Sequence, residues 1–104
     1  MDYGKLTTYI GFAIKTGSAV LGLDGIKKAE GIKVIIYSAE ASGNTIKEIR
    51  YYAAKKKAVL LRIEDADLSE ITKKNNCKAV AVTDYSLAQG IITNYKAIAE
   101  DIAE

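Results

Sequence analysis

Residues 33–49 read KVIIYSAEASGNTIKEI. The first half packs β-branched residues without polar alternation, so KVIIYSAE (33–40) reads as a strand buried on both faces. In the second half Thr45 and Glu48 stand in capping-box register, with Asn44 as the competing N-cap. A helix is therefore expected to about Lys56, with Ile46, Ile49 and Ala53 toward the core. A doubly buried strand running into a capped helix is the building unit of an α/β fold.

The alternation continues in both directions. Upstream, Leu6, Ile10, Ala13 and Ile14 recur at helical spacing and predict an amphipathic helix over 3–15, closed by Thr16-Gly17. SAVL (18–21) is a short extended piece, and 24–30 a short helix stopped by Gly31. Downstream, AVLLRIE (58–64) is a strand, 67–74 a short helix, and Asn75-Asn76 a turn. KAVAVTD (78–84) is a further strand. Residues 85–103 read as a last helix, with Leu87, Ile91, Tyr95, Ile98 and Ile102 on one stripe. Strands joined by helix-length segments need crossovers and should be largely parallel. The expected architecture is a three-layer α/β/α sandwich with a roughly four-stranded, largely parallel or mixed sheet, in one domain over 1–104.

Composition narrows the chemistry. The 104 residues include no histidine, no tryptophan and one cysteine, Cys77. Without histidine the chain lacks the commonest general base and metal ligand, and Ser–His or Cys–His nucleophile pairs are excluded. No catalytic residue, metal site or cofactor is singled out, and the chain reads as non-enzymatic. Glu64, Asp65, Asp67 and Glu70 cluster after a strand end. They suit either carboxylate or Mg²⁺ chemistry, or the neutralisation of a helix N-terminus. Glu100, Asp101 and Glu104 would end the last helix, where acids are unfavourable and fraying is expected. The N-terminal MDYGKLTTYIGF has an acid at position 2 and no apolar core segment, no apolar run is of membrane-span length, and a single cysteine suits a reducing compartment. A cytoplasmic protein with no membrane association is expected.

Charge is unevenly spread. Residues 1–62 hold eleven Lys/Arg against five Asp/Glu, and 63–104 hold four against eight. A basic first half suits an anionic partner, although two well-solvated halves would look the same. Lys47, Tyr51 and Lys55 stand at i, i+4 and i+8, followed by Lys56 and Lys57, a basic stripe with one aromatic. Arg50 is expected nearer the core, Tyr95 within it, and Tyr3 and Tyr9 partly exposed.

Three stretches, GFAIKTGSAVLGLDGIKKA (11–29), VIIYSAEASGNTIKEI (34–49) and KAVAVTDYSLAQGI (78–91), together resemble the ribosomal seven-Ae/thirty-e superfamily of kink-turn RNA binders, and most closely its small bacterial ribosomal-protein-like members. The resemblance extends in order and spacing over nearly the whole chain and implies the same three-layer sandwich. It implies a structured-RNA binder, ribosomal or kink-turn-containing in its target, with a ribosomal or other protein as a further class of partner. The family's Gly-x-Asn-Glu-x-x-Lys motif aligns with Gly22 to Lys28. Gly22 and Lys28 are kept, Asp24 replaces the Asn and Gly25 replaces the Glu. An ionised Asp donates nothing to a base edge and repels phosphate. Two lost base contacts at about 1–3 kcal/mol each weaken kink-turn specificity. The other RNA-facing loop of the family aligns with LSEITKKNNCK (68–78), where Ser69 and Lys73 replace expected glycines and Lys73, Lys74 and Lys78 supply charge. The resemblance thus assigns RNA contact to Gly22, Asp24, Gly25, Lys27, Lys28, Lys73, Lys74 and Lys78. The alternative for 21–28 is a short surface helix capped by Asp24 with solvated lysines, in a protein-interaction module that kept the fold and lost RNA.

Overall fold

The computed structural model describes residues 4–64, 68–95 and 99–102. Helices and strands alternate along it: α1 (Gly4–Lys15), β1 (Ala19–Leu21), α2 (Leu23–Lys28), β2 (Val34–Ser38), α3 (Gly43–Lys56), β3 (Val59–Ile63), α4 (Leu68–Thr72), β4 (Ala79–Val82), α5 (Tyr85–Tyr95) and β5 (Ala99–Ile102). The fold is α/β, and the strands form one mixed sheet in the order β1-β4-β2-β3-β5.

The doubly buried character of β2 holds at every residue. Alternate side chains divide between two cores, as the pleat requires. Val34 and Ile36 join Leu61, Ile63, Val80 and Val82 under α1, α4 and α5, against Leu6, Ile10, Leu68 and Ile91. Ile35 and Tyr37 join Leu60, Ala79 and Ala81 on the opposite face, against Ile26 of α2 and Ile49 and Ala53 of α3. Helices therefore cover both faces of the sheet.

Three features differ from the sequence expectation. Only β2 and β3 pair in parallel, whereas β1–β4, β2–β4 and β3–β5 are antiparallel. The reversal falls between β3 and β4. The connection 64–78 is long enough for a crossover, so segment length alone does not set strand direction. β4 begins at the end of the sheet where β3 stops, with Ala79 beside Tyr37 and Ser38 beside Ile63, and runs back along β2.

The last helix ends at Tyr95, and Ala99–Ile102 pairs with β3 as a fifth strand. The apolar stripe that suggested one long helix is also satisfied by a strand, and β3 offers an edge of backbone groups that need partners. Glu100 and Asp101 thus lie in a strand and not at a helix C-terminus; the side chain of Tyr95 and all of Glu104 lie outside the described residues, as does Tyr3.

The third difference is at α3, where the cap is Ser42 and neither Asn44 nor Thr45. The Ser42 hydroxyl accepts from the Thr45 N–H at 3.2 Å and donates to Thr45 Oγ1 at 2.9 Å.

Candidate nucleic-acid interface

The sheet topology brings the ends of β1, β2 and β3 and the start of β4 to one edge of the molecule. Backbone hydrogen bonds tie these segments together: Gly22 N–H donates to Ala79 O at 2.8 Å, Ser38 N–H to Lys78 O at 3.0 Å, and Ala39 N–H to Ile63 O at 2.9 Å. Two segments distant in sequence, 21–25 and 74–77, meet there around a cleft of about 390 Å³ lined by Leu21, Gly22, Leu23, Asp24, Gly25, Lys74, Asn76 and Cys77.

Each wall has a physical cause. Gly22 takes φ 88° and ψ 158°, a conformation essentially reserved for glycine, and this turns the chain from β1 into α2. Gly25 lies so close to β1 that an added Cβ would stand 2.8 Å from Val20 Cγ1. A side chain at this position would press on Val20 of β1. On the other wall, Lys73 and Asn76 adopt φ of 63° and 59°. The loop makes glycine-like turns without glycine, at a cost in local strain. It is braced by Thr72, whose hydroxyl donates to Leu68 O at 2.7 Å and accepts from Lys74 N–H at 3.3 Å, and by Ser69, whose hydroxyl accepts from Cys77 N–H at 2.8 Å. Ser69 thus fastens the loop where a glycine was expected. Cys77 is buried and its thiol faces Ala79 O at 3.3 Å.

The walls are joined by Lys74, whose Nζ donates to Leu21 O at 3.2 Å. Gly22, Asp24, Gly25 and Lys74 therefore share one cleft. Asp24 is exposed and is the second residue of α2; the cap position is Gly22, with no side-chain cap bond, so Asp24 is not the N-cap.

Four other candidate lysines line no part of this cleft. Lys27 pairs with Glu48 of α3 at 3.2 Å, and that bond and charge raise its pKa above the usual 10.5. Lys28 is exposed in the last turn of α2, Lys73 is exposed, and Lys78 is half-buried. Sequence reasoning had Asn76 only as a turn residue and missed Leu23; the pairing of 21–25 with 74–77 depends on β1 lying beside β4, which no local pattern announces.

No protein-family model and no curated protein matches the chain.

The stripe on α3 lines no part of the cleft. Lys47, Tyr51 and Lys55 are exposed, Tyr51 at 58%. Arg50 is exposed as well, not turned toward the core. Lys56 belongs to a different flank, where its Nζ donates to Ala29 O at 2.7 Å and lies 4.0 Å from Glu30.

The acid cluster is only partly described, since Asp65 and Asp67 fall outside the described residues. Glu64 pairs with Arg62 at 3.1 Å and Glu70 sits in the first turn of α4. Among the described residues no group of three or more acids, cysteines or histidines could hold a metal. No helix among them is long and apolar enough to cross a membrane. Half-buried Tyr9, with Lys5, Thr8, Phe12 and Leu87, lines a second, mostly apolar groove of about 400 Å³.

Proposed function

We propose that the chain is a cytoplasmic, non-enzymatic binder of structured RNA, ribosome-associated and weakened in kink-turn specificity. The observation that carries this reading is the meeting of 21–25 and 74–77 in one cleft, joined by Lys74. They are parts of the two segments, Gly22 to Lys28 and 68–78, that the family resemblance assigns to RNA. Lys74 supplies a cation to phosphate or to a base acceptor, and Asn76 adds an amide beside it. Asp24 opposes phosphate at the same cleft, and Gly25 gives no acceptor for a base, so affinity rests more on charge than on base reading. Lys28 and Lys73 stand exposed outside the cleft for additional phosphate contacts.

A second reading, a protein-interaction module, draws on a different observation: Phe12, 56% exposed, beside the apolar groove of α1 and α5.

Direct binding separates the two. The protein is titrated with a kink-turn RNA and with a duplex of equal length, at low and physiological salt, alongside Lys28→Ala and Lys74→Ala. Selective kink-turn binding that weakens in Lys74→Ala is expected. Equal weak binding to both RNAs, or none, overturns the RNA reading and directs attention to the α1–α5 groove.

A further inference from the structure

We propose that the outer face of α3 is a second nucleic-acid surface, separate from the cleft, that takes a single-stranded segment by stacking a base on Tyr51 between two phosphate-binding lysines. The helix is 14 residues long, and its rows have different neighbours. Glu48, Tyr52 and Lys56 form the row against α2: Glu48 binds Lys27, Tyr52 packs on the core, and Lys56 donates to Ala29 O. Lys47, Tyr51 and Lys55 form the next row outward, with each lysine one turn, about 6 Å, from the tyrosine.

Three observations favour a nucleic acid. Glu48 is the one acid in α3, and its carboxylate is engaged by Lys27, so the outer row keeps its positive charge. Among the described residues neither Lys47 nor Lys55 has a carboxylate partner. The Tyr51 ring is both exposed and braced. It meets Tyr52 edge-to-face at a centroid distance of 5.0 Å and 87°, and half-buried Tyr52 packs against the core. A ring held this way loses little freedom when a base stacks on it. The Lys55 ammonium lies over the Tyr51 ring at 5.8 Å from its centroid, and 6.0 Å from that of Tyr52, so a stacking base takes the ring face that Lys55 leaves open or displaces its flexible side chain. An acidic peptide would pair its carboxylates with the two lysines and leave the aromatic face between them without a stacking partner.

The test uses a fluorescent pyrimidine oligoribonucleotide of about eight nucleotides, within the usual range of single-strand site sizes. It is titrated into the intact protein at several salt concentrations. Binding is expected, weakened about tenfold by Tyr51→Ala and largely kept by Tyr51→Phe. Lys47→Ala with Lys55→Ala should make the log–log salt slope shallower by about 1.4, as expected for two single-strand phosphate contacts. Lys15→Ala, on α1, serves as the control for general charge and should leave binding unchanged. Circular dichroism of each variant reports folding. Absence of oligonucleotide binding, or equal binding by Tyr51→Ala and wild type, overturns the proposal. So does displacement of the oligonucleotide by an oligoglutamate whose own binding is indifferent to Tyr51. Dependence on Tyr51 together with indifference to Lys74→Ala separates this surface from the cleft, so either surface can fail while the other stands.

Discussion

The Lys74 ammonium donates to the Leu21 carbonyl at 3.2 Å and ties the loop before β4 to the turn into α2. The bond joins residues 53 positions apart and is exposed, so its net worth to folding is small. Lys74→Ala should therefore change stability by no more than about 0.5–1 kcal/mol in chemical denaturation. In RNA binding the same variant should lose affinity at low salt and show a salt slope shallower by about 0.7–0.9. A large loss of stability would make Lys74 a structural tie and remove it from the binding surface.

Gly22 has the opposite character. Its φ of 88° with ψ of 158° excludes a β-carbon on backbone grounds, and its N–H holds β4 through Ala79 O at 2.8 Å. Gly22→Ala should cost about 1–3 kcal/mol, read as a lower denaturation midpoint with an unchanged m-value. An unchanged midpoint would show that the turn into α2 accommodates a side chain.

The start of α3 sets the observed cap, Ser42, against Asn44, a cap the sequence suggests. Ser42 Oγ accepts from Thr45 N–H at 3.2 Å. Ser42→Ala should destabilise by about 1 kcal/mol, and Asn44→Ala should be nearly neutral. The reverse order in thermal melts would move the cap to Asn44.

Much of the fold is legible in local pattern. β2 declares itself by the unbroken run of Val34 to Tyr37, and α1 by Leu6, Ile10 and Ala13, all buried. What local pattern leaves out is partner choice. Ala79–Val82 has the same apolar look whether it runs parallel or antiparallel to β2, and the connection 64–78 is long enough for either. Ile102 fits a helical stripe as readily as a strand, and the open edge of β3 decides. The candidate cleft is legible by half: Gly22 and Lys74 carry recognisable residue types, but their meeting follows from β1 beside β4. Gly25 was read for a missing acceptor, while its proximity to Val20 is visible only once α2 is placed.

Lys27 provides a pH-dependent signature. The hydrogen bond to Glu48, together with its charge, raises the Lys27 pKa above 10.5. A raised pKa means that the ion pair contributes fully below the unfolded value and that the contribution is lost as pH rises through the folded value. The ammonium resonance of Lys27, followed by NMR at alkaline pH, should titrate later in the wild type than in Glu48→Gln. Coincident titrations would dissolve the pair in solution.

At Gly90 of α5 an added Cβ would stand 2.6 Å from Tyr9 Cε1 and 2.8 Å from its hydroxyl oxygen. Tyr9 lies over the glycine, and the Asn94 side chain donates to Gly90 O at 2.8 Å and approaches the Tyr9 hydroxyl at 3.5 Å. In an unobstructed helix, alanine would improve on glycine by about 1 kcal/mol. Here the displaced ring should outweigh that gain, and Gly90→Ala should be destabilising by about 1–2 kcal/mol. Removing the ring should reverse the sign. In a Tyr9→Ala background, Gly90→Ala should become neutral or stabilising, and a double-mutant cycle in urea measures the difference as coupling between the two sites. Simple additivity would mean that Tyr9 swings aside without cost, leaving the α1–α5 groove wider than its present 400 Å³ and its walls free to reshape around a partner.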